Sequence, residues 1–152
     1  ADHPGFLNPQ SMTRAIANYC EHTGQPVPET PGRFVRCCLE SLALHYRLVL
    51  DELRRVQDRP IDRIHVIGGG SRNALLCQMT ADATGLPVLA GPAEATAAGN
   101  VMMLARAMGH IQSLEHARRV IAASFPVTEY SPGPRNAWDQ AYDRYLKLKE
   151  IP

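Results

Sequence analysis

The sequence predicts an α/β fold that is rich in helices and contains short parallel strands. Ile64 to Ile67 and Val88 to Ala90 are short β-favouring segments. Each of them is followed by a longer segment whose apolar residues recur with a helical period. Strand–helix–strand–helix order with short connections favours parallel pairing of the strands and right-handed crossovers.

A first helix is predicted from about Met12 to His22. Ser11 is its candidate N-cap, because a serine hydroxyl accepts a hydrogen bond from an N–H group of the first turn. Gly24 and Pro26 end this helix, since both residues disfavour its continuation.

The longest predicted element begins after Thr30, a candidate N-cap, with Pro31 at the first helical position. Apolar residues follow at positions 35, 38, 39, 42, 46, 49, 50 and 53, a helical period that predicts one buried stripe as far as Val56. Mixed charges that include Arg47 and Asp51 lie on the other face, which we interpret as exposed to solvent.

The other elements lie between and after the two strands. One helix is predicted from about Arg72 to Ala83 and another from about Glu94 to Met108. Ser113 is a candidate N-cap for a further helix that ends near position 124. Phe125 to Tyr130 is predicted to be extended. A last helix follows, and Trp138 is expected to dock it onto the core.

The composition is that of an ordinary globular domain. Of the 152 residues, 45% are hydrophobic and 20% are charged, and the net charge is +1. This balance disfavours a general nucleic-acid binder, which would carry a basic face. No apolar run is long enough to cross a membrane and no signal peptide is visible. The chain starts at Ala1 as if it were entered in the middle of a protein.

Cysteine and histidine do not form a metal motif in this sequence. The four cysteines lie at positions 20, 37, 38 and 77 without a C-x-x-C pair, and the histidines are not at zinc-ligand spacings. The cysteines also do not define a secreted disulfide framework. Cys38 and Cys77 fall in apolar helical patterns and are interpreted as core residues. We therefore predict no metal site.

The most informative segment is the turn after the first strand, Ile64-His-Val-Ile-Gly-Gly-Gly-Ser-Arg-Asn73. Its three glycines remove every Cβ from the turn, so that a phosphate or a flat ligand can approach the backbone and the N-terminus of the next helix. The dinucleotide fingerprint is not matched, because its sixth position is Asn73, and a P-loop is excluded because its lysine is missing. We expect a ligand at Gly68 to Asn73; the alternative is a turn whose glycines only let the helix pack closely.

Longer motifs continue from this turn as far as Asn100. They read Gly-Gly-Gly-Ser-x-Asn, Leu-Leu-x-Gln, Ala-Asp and Gly-Pro-x-Glu-Ala-Thr-x-x-Gly-Asn. Together they closely resemble the nucleotide-binding end of the FGGY-type carbohydrate kinases, and most of all those that act on L-rhamnulose. The resemblance extends from Phe6 to about Trp138. It covers only the C-terminal third of a complete kinase.

The resemblance implies the C-terminal part of an actin-like pair of ribonuclease H-type ATPase domains, which close over ATP and a sugar. Residues 1–152 would form one partial nucleotide-binding domain, without the N-terminal domain and without the antiparallel meander that precedes the long helix. One edge of the strand Ile64–Ile67 should then have no partner within the chain. Because an unpaired edge and uncovered apolar helices favour association, we expect the chain alone to self-associate.

The resemblance also implies roles for individual residues. Gly68, Gly69 and Gly70 would lie against the adenosine and the α-phosphate, Gly69 most directly, and Asn73 would hydrogen-bond the adenosine. Four other matching residues are expected to cap or pack helices instead: Gln78, Glu94, Thr96 and Asn100. The family's Asp-x-Gly phosphate loop and its catalytic carboxylate would lie upstream of this sequence. No catalytic residue is therefore assigned, and the isolated chain is expected to be inactive.

The implied reaction is the transfer of the γ-phosphate of ATP to the 1-hydroxyl of L-rhamnulose in the cytoplasm, with magnesium bound mainly outside this chain. The alternatives are a kinase for another ketose or polyol and a noncatalytic nucleotide-binding or assembly module. The resemblance further implies a disulfide between Cys20 and Cys37, worth roughly 3 kcal/mol for a loop of this length. A reducing cytosol favours two free thiols instead.

Overall fold

In the computed structural model, which describes residues 3–149, six α-helices surround a small three-stranded sheet. The elements in chain order are α1 (Met12–His22), α2 (Pro31–Val56), β1 (Ile64–Val66), α3 (Ala74–Thr84), β2 (Val88–Ala90), α4 (Ala95–Ala107), α5 (Leu114–Ser124), β3 (Thr128–Tyr130) and α6 (Asn136–Lys149). Short 3-10 turns span Pro4–Phe6 and Gly68–Arg72. The predicted helix-rich α/β class is confirmed.

The sheet is mixed rather than purely parallel. β1 pairs with β2 in parallel, with Ile64 opposite Val88, as strand–helix–strand order requires. β3 pairs with β2 antiparallel, with Tyr130 opposite Val88. The sequence indicated that residues 125–130 are extended but contained no signal for the strand with which they pair. In the strand order β1-β2-β3, β1 is an edge strand, so its outer edge has no partner within residues 3–149, as expected.

The predicted N-caps are confirmed for three helices. The side-chain oxygens of Ser11, Thr30 and Ser113 each accept a hydrogen bond from a backbone N–H three residues later, over 3.1 to 3.4 Å. The start of α3 was predicted two residues too early. The glycine-rich segment through Arg72 forms a 3-10 turn, and α3 begins only at Ala74.

The core lies between the sheet, α3 and α2. Cys77 and Ala81 of α3 are buried against Val88 and Ala90 of β2, so Cys77 is a core residue as predicted. On its other side α3 packs against α2, where Ala43, Met79 and Ala83 are buried and Trp138 of α6 covers them. The expected docking of the last helix by Trp138 is therefore confirmed.

The prediction of one buried stripe along α2 is wrong in part. Ala43, Leu44 and Leu50 are the buried residues of this helix, whereas four members of the predicted stripe are exposed by 38 to 58%: Val35, Tyr46, Val49 and Leu53. Cys38 is only half-buried. Periodicity identifies apolar side chains, but burial also needs a partner, and residues 3–149 supply none for this side of α2.

The interpretation of the charged face of α2 as solvated is also wrong in part, because α6 packs against it. Nη1 of Arg47 lies 2.7 Å from Oδ1 of Asp139, and its guanidinium carbon lies 4.2 Å from the ring centroid of Tyr142. The hydroxyl of Tyr142 donates to Oδ2 of Asp51 over 2.9 Å. Two polar residues of α2 therefore fix α6.

Helix α4 is the least covered element. It has no buried residue, and Val101, Met103 and Leu104 are exposed by 52 to 66%. Met108, directly after the helix, is 73% exposed. A helix that is apolar on several sides is normally enclosed by other parts of a protein.

Candidate functional site

The candidate site lies where two glycine-containing turns follow the carboxyl ends of the parallel strands β1 and β2. Parallel pairing brings both strand ends to the same edge of the sheet. The N–H of Gly68 donates to the carbonyl oxygen of Pro92 over 3.0 Å, and the N–H of Gly91 donates to that of Val66 over 2.9 Å. The two turns are thus held side by side by backbone hydrogen bonds.

The three glycines of the first turn leave its outer surface open. A Cβ at Gly69 would meet no atom within 4 Å, and one at Gly70 would meet only Cγ1 of Val66 at 3.8 Å. Gly68 has a φ of +75°, which favours glycine. Gly69 and Gly70 are also exposed. The alternative that all three glycines serve close helix packing does not agree with this open space.

Hydrogen bonds inside the first turn fix its shape. The hydroxyl of Ser71 donates to the carbonyl oxygen of Gly68 over 2.7 Å, and the N–H of Asn73 donates to that of Gly70 over 3.1 Å. A backbone surface without side chains is therefore presented in a defined conformation.

Asn73 is the N-cap of α3. The sequence had predicted a helix from about Arg72, which would have placed Asn73 inside the first turn. The Oδ1 atom of Asn73 accepts a hydrogen bond from the N–H of Leu76 over 3.0 Å. Because this oxygen is engaged in the helix cap, the Nδ2 amide is the part of the exposed side chain that is available to donate to a ligand.

The residues that were expected to cap or pack helices have different environments. Nε2 of Gln78 donates to Oδ1 of Asp82 over 2.8 Å and to the carbonyl oxygen of Ser131 over 2.9 Å, which confirms a structural role. Glu94 occupies the N-cap position of α4 without capping it. The other two, Thr96 and Asn100, are exposed on α4.

The sequence did not indicate a role in the site for Arg72 or Gly91. Nη2 of Arg72 lies 2.9 Å from Oε1 of Glu94, which connects the two turns. Gly91 has a φ of +127°, and a Cβ there would lie 2.8 Å from the carbonyl oxygen of Pro126. The Gly91–Pro92 pair indicated a turn in the sequence, but no local pattern indicated that this turn lies against Pro126. The partner of Arg72 is 22 residues distant.

Cys20 and Cys37 are free thiols in this structure, and their side chains are close enough for each to influence the pKa of the other. Burial raises the pKa of the Cys20 thiol. Burial, with the negative charges that Cys20, Cys38 and Glu40 can carry, raises the pKa of Cys37 to about 11. Both groups are therefore protonated at neutral pH. The expected disulfide stays a prediction.

The described part of the chain contains no cluster of metal-binding side chains. Among residues 3–149, no three His, Cys, Asp or Glu residues are grouped so that they could hold an ion. Within the same residues, no helix has the length and apolar character needed to cross a membrane.

Comparisons with known proteins agree on one family. A sequence model of the C-terminal domain of the FGGY family of carbohydrate kinases matches residues 1–108. A rhamnulokinase of Bacteroides thetaiotaomicron is 54% identical over 93% of this chain and 29% of its own length. Rhamnulokinases of Bacillus subtilis and Pectobacterium atrosepticum are 42% and 40% identical over 84% and 95% of this chain, and over 26% and 29% of their own lengths. The chain thus spans less than a third of these relatives.

Proposed function

The chain belongs to the FGGY family of carbohydrate kinases, and on this basis we propose that it forms one wall of an ATP site. The first glycine turn would lie against the adenosine and the α-phosphate. In the complete protein the γ-phosphate would pass to the 1-hydroxyl of L-rhamnulose, in the cytoplasm. The support for this substrate is similarity to rhamnulokinases over 84 to 95% of the chain.

The observation that carries the nucleotide proposal is the open space at Gly69. Its backbone does not require glycine through a positive φ, and no atom lies within 4 Å of where its Cβ would be. A side chain there would be tolerated by the fold but would occupy the space next to the turn. The absence of a side chain therefore favours a ligand that approaches the backbone closely.

Asn73 would contribute through its Nδ2 amide. With Oδ1 engaged in the cap of α3, the side chain can still donate two hydrogen bonds to acceptors on the base or the ribose. The proposed contact of Asn73 is therefore mainly one in which its side chain donates.

Magnesium and the catalytic base would come from other parts of the complete kinase. Phosphoryl transfer depends on metal ions and charged groups that stabilise the γ-phosphate from several directions. Mg²⁺ is usually bound by one or two carboxylates together with the substrate phosphates, and we propose that those carboxylates lie outside residues 3–149. We assign residues 3–149 the nucleotide wall and propose that the 152-residue chain alone does not transfer phosphate.

The chain also has a surface suited to covering by the rest of such a kinase. A groove of about 350 Å³ runs along the open edge of β1, and Tyr46, Ile64, Val66 and Leu76 are among its lining residues. Because the relatives are more than three times as long as the region they share with this chain, we propose that upstream strands cover this groove. Without them, a second copy of the chain would do so.

The test of the nucleotide wall is Gly69→Val, with Gly32→Val as the matched control. Gly32 also has open space around it but lies in the first turn of α2 and not in either glycine turn. In the wild type, ADP should perturb the amide resonances of residues 68–73 before others, with weak affinity because only one wall is present. Gly69→Val should abolish the perturbation, and Gly32→Val should retain it. Unchanged perturbations in Gly69→Val would remove the glycine turn from the site.

The substrate is tested separately, on the complete kinase, by coupled ADP release with a panel of ketoses and polyols. Rhamnulose should give the highest kcat/KM. Activity with another sugar only would replace the substrate and leave the nucleotide wall intact. ADP binding without activity on any sugar would favour a noncatalytic nucleotide-binding module.

A further inference from the structure

We propose that Arg72 and Glu94 act together as a positioning pair, which holds the two glycine turns at the spacing that the nucleotide needs. This inference rests on the nucleotide site proposed above. It assigns a role to two charged side chains that do not need to touch the nucleotide.

The first argument is the position of the pair between the turns. Arg72 ends the 3-10 turn that begins at Gly68, and Glu94 lies two residues after the Gly91–Pro92 turn and directly before α4. Nη2 of Arg72 and Oε1 of Glu94 are 2.9 Å apart. Backbone hydrogen bonds join the turns next to the strands, and the ion pair joins them farther along the chain.

The second argument is what the Glu94 carboxylate does not do. Glu94 occupies the N-cap position of α4, but its side chain makes no capping hydrogen bond. Short acceptor side chains at this position commonly bind a free N–H group of their own helix, a role that the longer side chain of Glu94 does not take. Here the carboxylate instead extends to a residue 22 positions earlier in the chain, so it connects two elements and does not stabilise one.

The exposure of the pair decides how large its effect should be. The side chains of Arg72 and Glu94 are 70% and 68% exposed. Exposed ion pairs contribute little to the stability of a fold, so variants of these residues should fold. Because the first turn would contact the nucleotide and the second turn supports it, we expect a change in their spacing to weaken nucleotide binding by roughly two- to fivefold, the range that coupling of an exposed pair allows.

The experiment uses the complete kinase and reverses the charges: Arg72→Glu, Glu94→Arg and the double variant. Each single reversal should lower the affinity for ADP and raise KM for ATP, while KM for the sugar stays unchanged. The double variant, which restores an ion pair of opposite polarity, should return both constants to within about twofold of the wild type. Arg33→Glu is the control, because it breaks an exposed ion pair with Glu29 on a distant part of the chain and should change neither constant.

Hydrogen exchange without nucleotide gives a second measurement. The amides of Gly68 and Gly91, which bond across the turns, should exchange faster in the single reversals and return towards the wild-type rate in the double variant. Protection that is the same in all four proteins would overturn the positioning role.

Two further outcomes separate this inference from the proposed function. In the first, Glu94→Ala strengthens ADP binding while Arg72→Ala weakens it. Arg72 would then contact the nucleotide itself, and Glu94 would compete with the nucleotide for Arg72. This result would overturn the inference but retain the proposed nucleotide site. A wild-type kinase that does not bind ADP would overturn the proposed function, and the inference with it.

Discussion

Glycine occurs in the two turns for different physical reasons. Gly68 and Gly91 have positive φ values of 75° and 127°, and a Cβ at Gly91 would collide with a backbone oxygen at 2.8 Å. The fold itself therefore favours glycine at Gly68 and requires it at Gly91. Gly69 has neither constraint. A substitution at Gly69 consequently tests ligand contact, whereas one at Gly91 would mainly test stability.

The Cys20–Cys37 pair leads to a redox prediction. Their side chains are close enough for each to influence the pKa of the other, so the two thiols are candidates for a disulfide. We expect oxidised glutathione to form it with release of two reduced glutathione molecules, slowly at pH 7, because the raised thiol pKa values leave little thiolate to attack. The bridge should stabilise the fold by about 3 kcal/mol. Intact-mass analysis after alkylation without reductant should find two labelled cysteines.

Two variants make this measurement specific. Cys38→Ser should still form the bridge, and Cys37→Ser should not. Four labelled cysteines in the oxidised wild type would contradict the prediction.

The candidate site could be predicted from the sequence only where its signal is local. Three adjacent glycines after a strand identified residues 68–70, which the structure places together on one exposed turn. The engagement of Oδ1 of Asn73 in the helix cap depended on the exact start of α3, which was predicted two residues too early. The contact between Arg72 and Glu94 depends on parallel strand pairing, so no local pattern could indicate it.

Contacts between helices explain where the charged face of α2 was misinterpreted. Charge at helical spacing predicts solvent when no neighbour is known, but α6 covers Arg47 until its side chain is only 14% exposed. Trp138 was a correct signal for the docking of α6, because a large apolar ring among polar residues needs a core. The polar contacts that accompany this docking had no signal in the periodicity.

The α2–α6 contact predicts a loss of stability at high pH. Burial, then the hydrogen bond to Asp51 and its charge, raises the pKa of Tyr142 from 10.0 to about 12. The neutral phenol is therefore favoured by folding, and its contribution is present below pH 10 and lost as the pH rises towards 12. The free energy of urea unfolding, measured from pH 8 to 11, should fall above pH 10 in the wild type.

Tyr142→Phe should be less stable at pH 8 by about 1–2 kcal/mol, since the hydrogen bond to the Asp51 carboxylate is lost. Its stability should fall less steeply above pH 10. Tyr46→Phe is the control, because Tyr46 is 40% exposed and should leave the pH dependence unchanged. Equal slopes in Tyr142→Phe and the wild type would show that another group titrates.

Within residues 3–149, the apolar side chains between α3 and β2 are buried, whereas those on one side of α2 are exposed. Cys77, Ala81 and Val88 form a closed core between α3 and β2, but the apolar stripe at Tyr46, Val49 and Leu53 is exposed. The sequence predicted these residues as buried because their pattern is that of a helix covered on this side. This pattern agrees with the proposal that upstream strands of the complete kinase lie next to β1 and cover these residues.

The uncovered surfaces predict concentration-dependent self-association of the chain. β1 has an open edge, and α4 exposes Val101 and Leu104 by 57 and 66%; such surfaces favour pairing with another copy. Light scattering should give an average mass that rises with concentration in the micromolar range. Val101→Lys combined with Leu104→Glu should lower that mass towards the monomer. Leu7→Lys, at a residue 86% exposed outside these surfaces, should not. A wild-type monomer that unfolds cooperatively at these concentrations would mean that the open edge and α4 need no partner.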